Sequence, residues 1–529
     1  MIKNILSSVL LTVFAVSGLC AQTSTPPKLV ISIVVDQLRD DYLQYFSPTF
    51  GERGFKRLMN EGLVYHHVDF GFPNITQATA VATLYTGAYP YYHGITADKR
   101  YNFETLKEES IIADEHYLGN FTSDRFSPVA MLASTVGDEL KIASEGNSDV
   151  FTIAPDADEA ILAAGHYADA AFWLDDYNGK WATTTFYKNV PWYIDRHNSN
   201  LKNANTDDKI WTPALASYNG FPYTKSSAPF RHTIKKNDGY QYLKIKQSPF
   251  INTEITNLAA TFFEYADFGK RSYPDFLAIT YYAGNYRFGI QSSEFSSWEI
   301  QDTYCRLDKE IERLLDLADK KAGLKNVLVI LASTGYYDSH VTMPDGFKPA
   351  GLFYPDRCNA LLNVYLMALY GQGNWVKSYY NEQIYLNRAL IEDKGVDLDE
   401  ILWKSASFLS RFSGVQEVTT AGQWFIDDIG RSAHFRRGMH RKNSGDLFIE
   451  LQPGWIVEYE KAEKSSESTD YRRETTIMSP LFFFGNGIKH SNIHRKIKAT
   501  EIAPSVSRIL RIKQPDACKD AALEEIINN

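Results

Sequence analysis

The sequence predicts an α/β fold: a central, mostly parallel sheet flanked by helices, with inserted cap segments. Three observations carry this. Short apolar runs rich in β-branched or aromatic residues recur along the chain, a segment between two of them places apolar residues at helical spacing, and the first run ends on a carboxylate. Continuous apolar runs are what strands covered on both faces require.

The first run spans residues 29–35 and ends at Asp36. A carboxylate at the tip of a central strand stands where open α/β sheets hold their ligands. Residues 55–62 read as a short helix stopped by Gly62. The second run is 276–280, the third 327–332 and the fourth 480–485. Between the second and third, residues 300–322 carry Leu307, Ile311, Leu314, Leu315 and Leu317 on a helical repeat. Strand, helix, strand in that order implies a right-handed parallel crossover. Residues 502–510 read as a further helix. Residues 150–265 are rich in Asn, Asp, Tyr and Trp with few long apolar runs, and are expected to be an insertion or cap. A second insertion is expected at 345–470, containing a strand near 446–451.

The composition is that of a globular protein: 529 residues, 44% hydrophobic and 22% charged, with 55 basic against 64 acidic side chains. The net charge of −9 argues against nucleic acid as the main partner. Lys3, the apolar stretch 5–16, and Leu19-Cys20-Ala21 before Gln22 read as a secretory signal peptide cleaved after Ala21. That implies a periplasmic or secreted protein with no transmembrane anchor after cleavage. A lipidated Cys20 is the alternative, disfavoured by Leu19. Cleavage leaves Cys305, Cys358 and Cys518. This is no disulfide framework, although one bridge plus one buried thiol is open and the pair is not fixed.

Two motif blocks carry the functional reading. Val34-Val35-Asp36-Gln37-Leu38-Arg39-Asp40-Asp41-Tyr42 comes first, and Thr83-Leu84-Tyr85-Thr86-Gly87-Ala88-Tyr89-Pro90-Tyr91-Tyr92-His93-Gly94-Ile95 follows. With 301–308, Gly485-Asn486-Gly487 and 500–505 in the same order, the chain resembles the alkaline phosphatase superfamily. It is most similar to the secreted phosphate-monoesterase branch of bacteroidete bacteria, related to type I phosphodiesterase/nucleotide pyrophosphatases. The resemblance implies an alkaline-phosphatase-like sheet and, in active members, two zinc ions that clamp the phosphoryl oxygens. It also implies a hydroxyl nucleophile at a helix start, where zinc and the helix dipole lower its pKa.

Carried over residue by residue, the resemblance implies a degenerate site. Asp36 stands at the first ligand position. The nucleophile position, nine residues before Thr86, falls on Gln77, with Thr76 as the fallback hydroxyl and Thr79 nearby. The histidine four residues later becomes Val81. The Asp-x-x-x-His pair becomes Tyr281 and Asn285. The Asp-His pair before a retained Gly335 becomes Ser333 and Thr334, and the late histidine becomes Met478. Three phosphate-contacting positions, an Asn and a Lys-x-Arg pair, become Asp98, Asp156 and Asp158, which reverses the charge toward a phosphoryl oxygen.

The expected function is therefore a catalytically degenerate member, a pseudophosphatase that binds, scaffolds or regulates in the cell envelope. No cofactor is expected, and the partner is an envelope protein or glycan. The alternative is a phosphatase or phosphodiesterase with an unconventional zinc site using Thr76 or Thr79. A third reading is glycan binding by the aromatic segment 150–265. Three further ligand sets are considered: Asp338 with His340, the pair His66-His67, and Ca²⁺ or Mg²⁺ held by Asp36, Asp98, Asp156 and Asp158.

Overall fold

The computed structural model describes residues 25–102, 107–204, 207–216, 218, 230–236, 238–286, 297–340, 350–380, 382–426, 431–458 and 471–527. The expected signal peptide and its cleavage point after Ala21 lie outside these residues. Among the described residues no helix is long and apolar enough to cross a membrane.

Ten strands make the central sheet. In chain order they are β1 (Leu29–Asp36), β2 (Leu63–Tyr65), β3 (Gly119–Asn120), β4 (Val150–Ala154), β5 (Ala170–Leu174), β6 (Trp181–Thr184), β7 (Asp275–Tyr282), β8 (Val327–Ser333), β9 (Leu481–Gly485) and β10 (Ser491–Ile493). Their order across the sheet is β10-β2-β9-β8-β1-β7-β4-β5-β6-β3. The five strands β8-β1-β7-β4-β5 run parallel. The fourth apolar run, β9, is buried as expected but lies antiparallel to β8. Burial on both faces fixes a run's composition, not its direction.

The helices that matter below are α1 (Asp40–Phe46), α2 (Gln77–Thr86), α3 (Ala157–Ala164), α4 (Phe250–Tyr265), α5 (Ser297–Ala322) and α6 (Ile502–Leu510). α5 links β7 to β8, which flank β1 on either side. The short helix Phe55–Glu61 stops at Gly62, whose amide donates to the Leu58 carbonyl.

The segment 150–265 departs from its expected role as an insertion. It supplies β4, β5 and β6 to the central sheet, α3 between them, and α4 against β7. β4 and β5 have only five residues each, VFTIA and AAFWL, and are wholly buried. Runs that short do not stand out among the polar turns around them. The second segment, 345–470, contributes strands to a separate sheet. A four-stranded sheet of Val376–Tyr380, Gln383–Leu386, Leu447–Leu451 and Val415–Thr420 encloses a separate core around Phe353, Leu362, Trp375 and Ile384.

The three described cysteines are free thiols, all buried. Burial pushes Cys305 and Cys518 up to about 11 and Cys358 up to about 12. No bridge forms among them.

Candidate functional site

Register places the candidate positions side by side. Val35 pairs with Tyr281 on β7 and with Ser333 on β8, so the carboxyl ends of β1, β7 and β8 finish at one level. α2 begins beside them with Gln77. Together these elements bound a cleft of about 130 Å³ lined by Asp36, Gln37, Gln77, Asp156, Lys246 and Arg473, among others.

Asp36 is buried and turned to hydrogen bonding. Thr334 Oγ1 donates to Oδ1 at 2.9 Å and Gln37 Nε2 to Oδ2 at 3.2 Å, and the Tyr336 side chain also bonds the carboxylate. Burial nevertheless pushes the carboxyl up to about 6, with Asp338 adding to the rise. Gln37 holds the left-handed backbone conformation at φ 62°. Its amide N–H donates to Thr334 Oγ1 at 2.9 Å, and its Oε1 accepts from the Asp338 amide at 3.0 Å. These bonds offset a backbone conformation that is unfavourable for a side-chain-bearing residue.

The other strand-end positions are committed to the fold. Tyr281 is fully buried and its hydroxyl shares a 2.9 Å hydrogen bond with Thr256 of α4. Asn285 Nδ2 donates to the Asp338 carbonyl at 2.6 Å, and its Oδ1 accepts from the Tyr337 hydroxyl at 2.9 Å. Ser333 Oγ donates to the Leu38 carbonyl at 2.7 Å. Met478 is 43% exposed, and its carbonyl accepts from the Asp40 amide at 2.8 Å. Gly335 has φ 78°, and a Cβ there would lie 2.2 Å from the Phe70 ring, so the turn after β8 demands glycine.

At the start of α2, Thr76 is the N-cap. Its Oγ1 accepts from the Thr79 amide at 3.4 Å, while the Thr76 amide donates to Thr79 Oγ1 at 2.7 Å. Both fallback hydroxyls thus form a reciprocal capping box. Val81 is fully buried. The Ala78 amide donates to Asp98 Oδ1 at 2.9 Å. The N-terminal end of α2 therefore carries an internal carboxylate, satisfying the dipole that favours an anion there.

Two cations that the motifs did not flag enter the cleft. Lys246 Nζ is buried, bonds Asp156 Oδ1 at 2.8 Å and also pairs with Asp176. Those two carboxylates raise its pKa despite burial. Arg473 grips Asp338 through Nε at 2.8 Å and a second nitrogen at 3.0 Å, and lies 4.0 Å over the Tyr336 ring. No sequence signal singles out either: each is a lone cation in a segment far from the strand-end motifs.

The acidic residues do gather. Asp158 is pushed well up by burial, then by Asp98 and Asp156; Glu159 is raised by burial, Asp36, Asp156 and Asp158. The Glu159 amide donates to Asp158 Oδ1 at 3.0 Å, whereas Glu159 Oε1 is buried without a hydrogen-bond partner, and among the described residues no group of three or more His, Cys, Asp or Glu is arranged to hold a metal ion. The Asp338 oxygens belong to Arg473, and the side chain of His340 lies outside the described residues. His66 bonds Asp40 at 3.1 Å and stacks on His494 at 4.7 Å rather than acting with His67.

Residues 30–476 match the family model described as type I phosphodiesterase / nucleotide pyrophosphatase. The chain is 30% identical over 555 aligned positions to alkaline phosphatase PafA of Elizabethkingia meningoseptica, covering 98% of each. It is 29% identical to a Myroides odoratus protein named calcium-transporting ATPase, covering 97% of each. The crystal structure of wild-type alkaline phosphatase PafA superposes with a TM-score of 0.79 at 26% identity, covering 95% of this chain and 99% of that one.

Proposed function

The chain belongs to the type I phosphodiesterase / nucleotide pyrophosphatase family of alkaline-phosphatase-like proteins, and from that premise we propose that it is a pseudophosphatase of the cell envelope. Its cleft would bind, scaffold or regulate rather than hydrolyse, with an envelope protein or glycan as partner. The observation that carries this is the state of the inherited positions. Tyr281, Asn285, Ser333 and Thr334 each spend their polar atoms on the protein's own groups, and Asp36 accepts bonds from the chain.

The donor set does not fit a zinc pair. Zinc needs imidazole, thiolate or carboxylate ligands at tetrahedral spacing, and Asp36 alone supplies one at these strand ends. Nor does the helix start favour phosphate: Asp98 takes an amide there, and Asp156 brings a further carboxylate to the cleft. The neutral and cationic donors of Gln37, Gln77, Lys246 and Arg473 would orient a bound polar group without activating water.

The relatives' names favour a second reading. Alkaline phosphatase PafA is among them, so a phosphoric-ester hydrolase working from Thr76 or Thr79 is the reading to test against. The chain from Gln22 is loaded with excess zinc, desalted and measured for metal by mass spectrometry, with p-nitrophenyl phosphate and bis-p-nitrophenyl phosphate assays on the same sample. The expected result is no retained zinc and no turnover above the D36N variant. Retained zinc with turnover abolished by Thr76→Ala would establish the hydrolase instead.

A further inference from the structure

The helix Pro355–Tyr370 is apolar on two sides. Its inner stripe, Cys358, Leu362 and Leu366, is buried in the core of the four-stranded sheet. Its outer side carries Leu361 at 52% and Val364 at 60% exposure, with Ala360 and Ala368 exposed beside them. From Cys358 to Tyr370 there is no Asp, Glu, Lys or Arg. A surface helix keeps a polar stripe toward water, and one that is apolar all round is covered on both sides.

The neighbouring helix, Leu398–Leu409, adds to the exposed apolar surface of this layer. Tyr365 of the first helix stacks on Phe408 of the second, with ring centroids 4.3 Å apart and planes 7° from parallel. That stack holds the two helices together as one surface. Trp403 on the second helix is 68% exposed. Apolar area gathered in this way marks a site of association, and each Å² that a partner covers stabilises the complex by about 25 cal/mol before the costs of binding.

Spacing and charge single out the occupant. Arg357, Leu361, Val364 and Ala368 stand four, three and four residues apart, the repeat with which one helix lies along another. Arg357 is in the first turn, at the positive end of its own helix dipole, and the last turn holds no basic residue. A second copy laid antiparallel about a two-fold axis complements both ends at once. Leu361 then meets Val364 of the other copy, and Arg357 meets Ala368 and the carbonyls of that helix's last turn. Arg357 lies 4.4 Å over the Tyr354 ring, and the small Ala368 leaves room for its long side chain. A lipid surface fits less well, because the second helix opens with exposed Asp399 and Glu400, which anionic headgroups repel.

We propose that this face is a homodimer interface, in which the helix Pro355–Tyr370 of one copy packs antiparallel on the same helix of a second. An interface about a two-fold axis uses one patch twice, so a single self-complementary stripe is enough. The proposal is independent of how the strand-end cleft is read.

Sedimentation velocity on the chain from Gln22, between about 1 and about 50 µM, tests it. The expected result is a concentration-dependent doubling of mass. Leu361→Glu and Val364→Glu, each on an exposed side chain, should return the monomer at every concentration without changing the near-ultraviolet circular dichroism. Tyr177→Glu, 81% exposed elsewhere on the surface, should leave the dimer intact. Mild oxidation tests the direction of packing, and the native thiols, being buried, do not compete. Arg357→Cys mixed with Ala368→Cys should give a disulfide-linked dimer. Neither variant alone should, because like positions then lie about 16 Å apart along the helix axis. A monomer throughout, whether or not it pellets with phosphatidylglycerol vesicles, a dimer indifferent to both glutamate variants, or linkage by either cysteine variant alone would overturn the proposal.

Discussion

The two ends of α2 follow the same electrostatic rule to opposite effect. At the amino end the helix dipole meets Asp98, the cap hydroxyls bond each other, and Lys246 and Arg473 are bound to carboxylates. At the carboxyl end, where the dipole favours cations, Arg436, Arg437, Lys498 and Lys519 line a pocket together with Asp520. In the first region the helix terminus and the cleft cations are held by the chain's own carboxylates. The second sets its cations over tyrosine rings and beside Asp520. The dipole thus sets an acidic side chain at one end of the helix and basic ones at the other.

That contrast is best attacked at its cations. Replacing buried Lys246 by Met removes the partner of the half-exposed Asp156 and Asp176, and should cost about 2 kcal/mol of unfolding free energy in urea titration, since both carboxylates stay hydrated. A loss below about 1 kcal/mol would mean the cleft is not built around that lysine. Asp36→Ala leaves the Thr334 and Gln37 donors without their acceptor in a buried place, and should cost about 2 kcal/mol.

The pH dependence sharpens the same point. The folded Asp36 carboxyl titrates at about 6 against 3.8 for the ordinary group, so the native state binds that proton more tightly than the unfolded chain. The Asp36 contribution to stability therefore falls as pH rises from about 4 through 6, by up to about 3 kcal/mol. Comparing wild type with D36N between pH 4 and 8 isolates it; parallel curves would show that Asp36 is not buried as described. The smallest effect belongs to the other end of the helix. Lys519→Gln should shift stability by less than about 0.5 kcal/mol, because its side chain is exposed.

What the sequence revealed follows from how far each signal extends along the chain. β1, β7 and β8 were legible because both faces of each are covered, and α6 matches its expected bounds because its apolar periodicity is strong. β4 and β5 were not, since five residues between polar turns give too little pattern to separate core from cap. At the site, the strand end pointed to Asp36, the family resemblance implied Gln77, Tyr281, Asn285, Ser333 and Thr334, and the register of β1 with β7 and β8 brings Asp36, Tyr281 and Ser333 to one level. Lys246 and Arg473 were invisible because their meaning lies in Asp156 and Asp338, residues 90 and 135 positions away. Charge pairing across such separations leaves no local pattern.

The three buried thiols have a practical consequence. Cys305 sits on α5, Cys358 in the core of the small four-stranded unit, and Cys518 against Gly87 beneath the cationic pocket. Each can meet an alkylating reagent only when its own surroundings open, so labelling rates under native conditions time three separate local openings. The chain carries one clock for the cluster of Tyr218 and Trp298 against α5, one for the appended unit and one for the carboxyl end of α2. A ligand that slows only the Cys518 clock would report its own location without any engineered label.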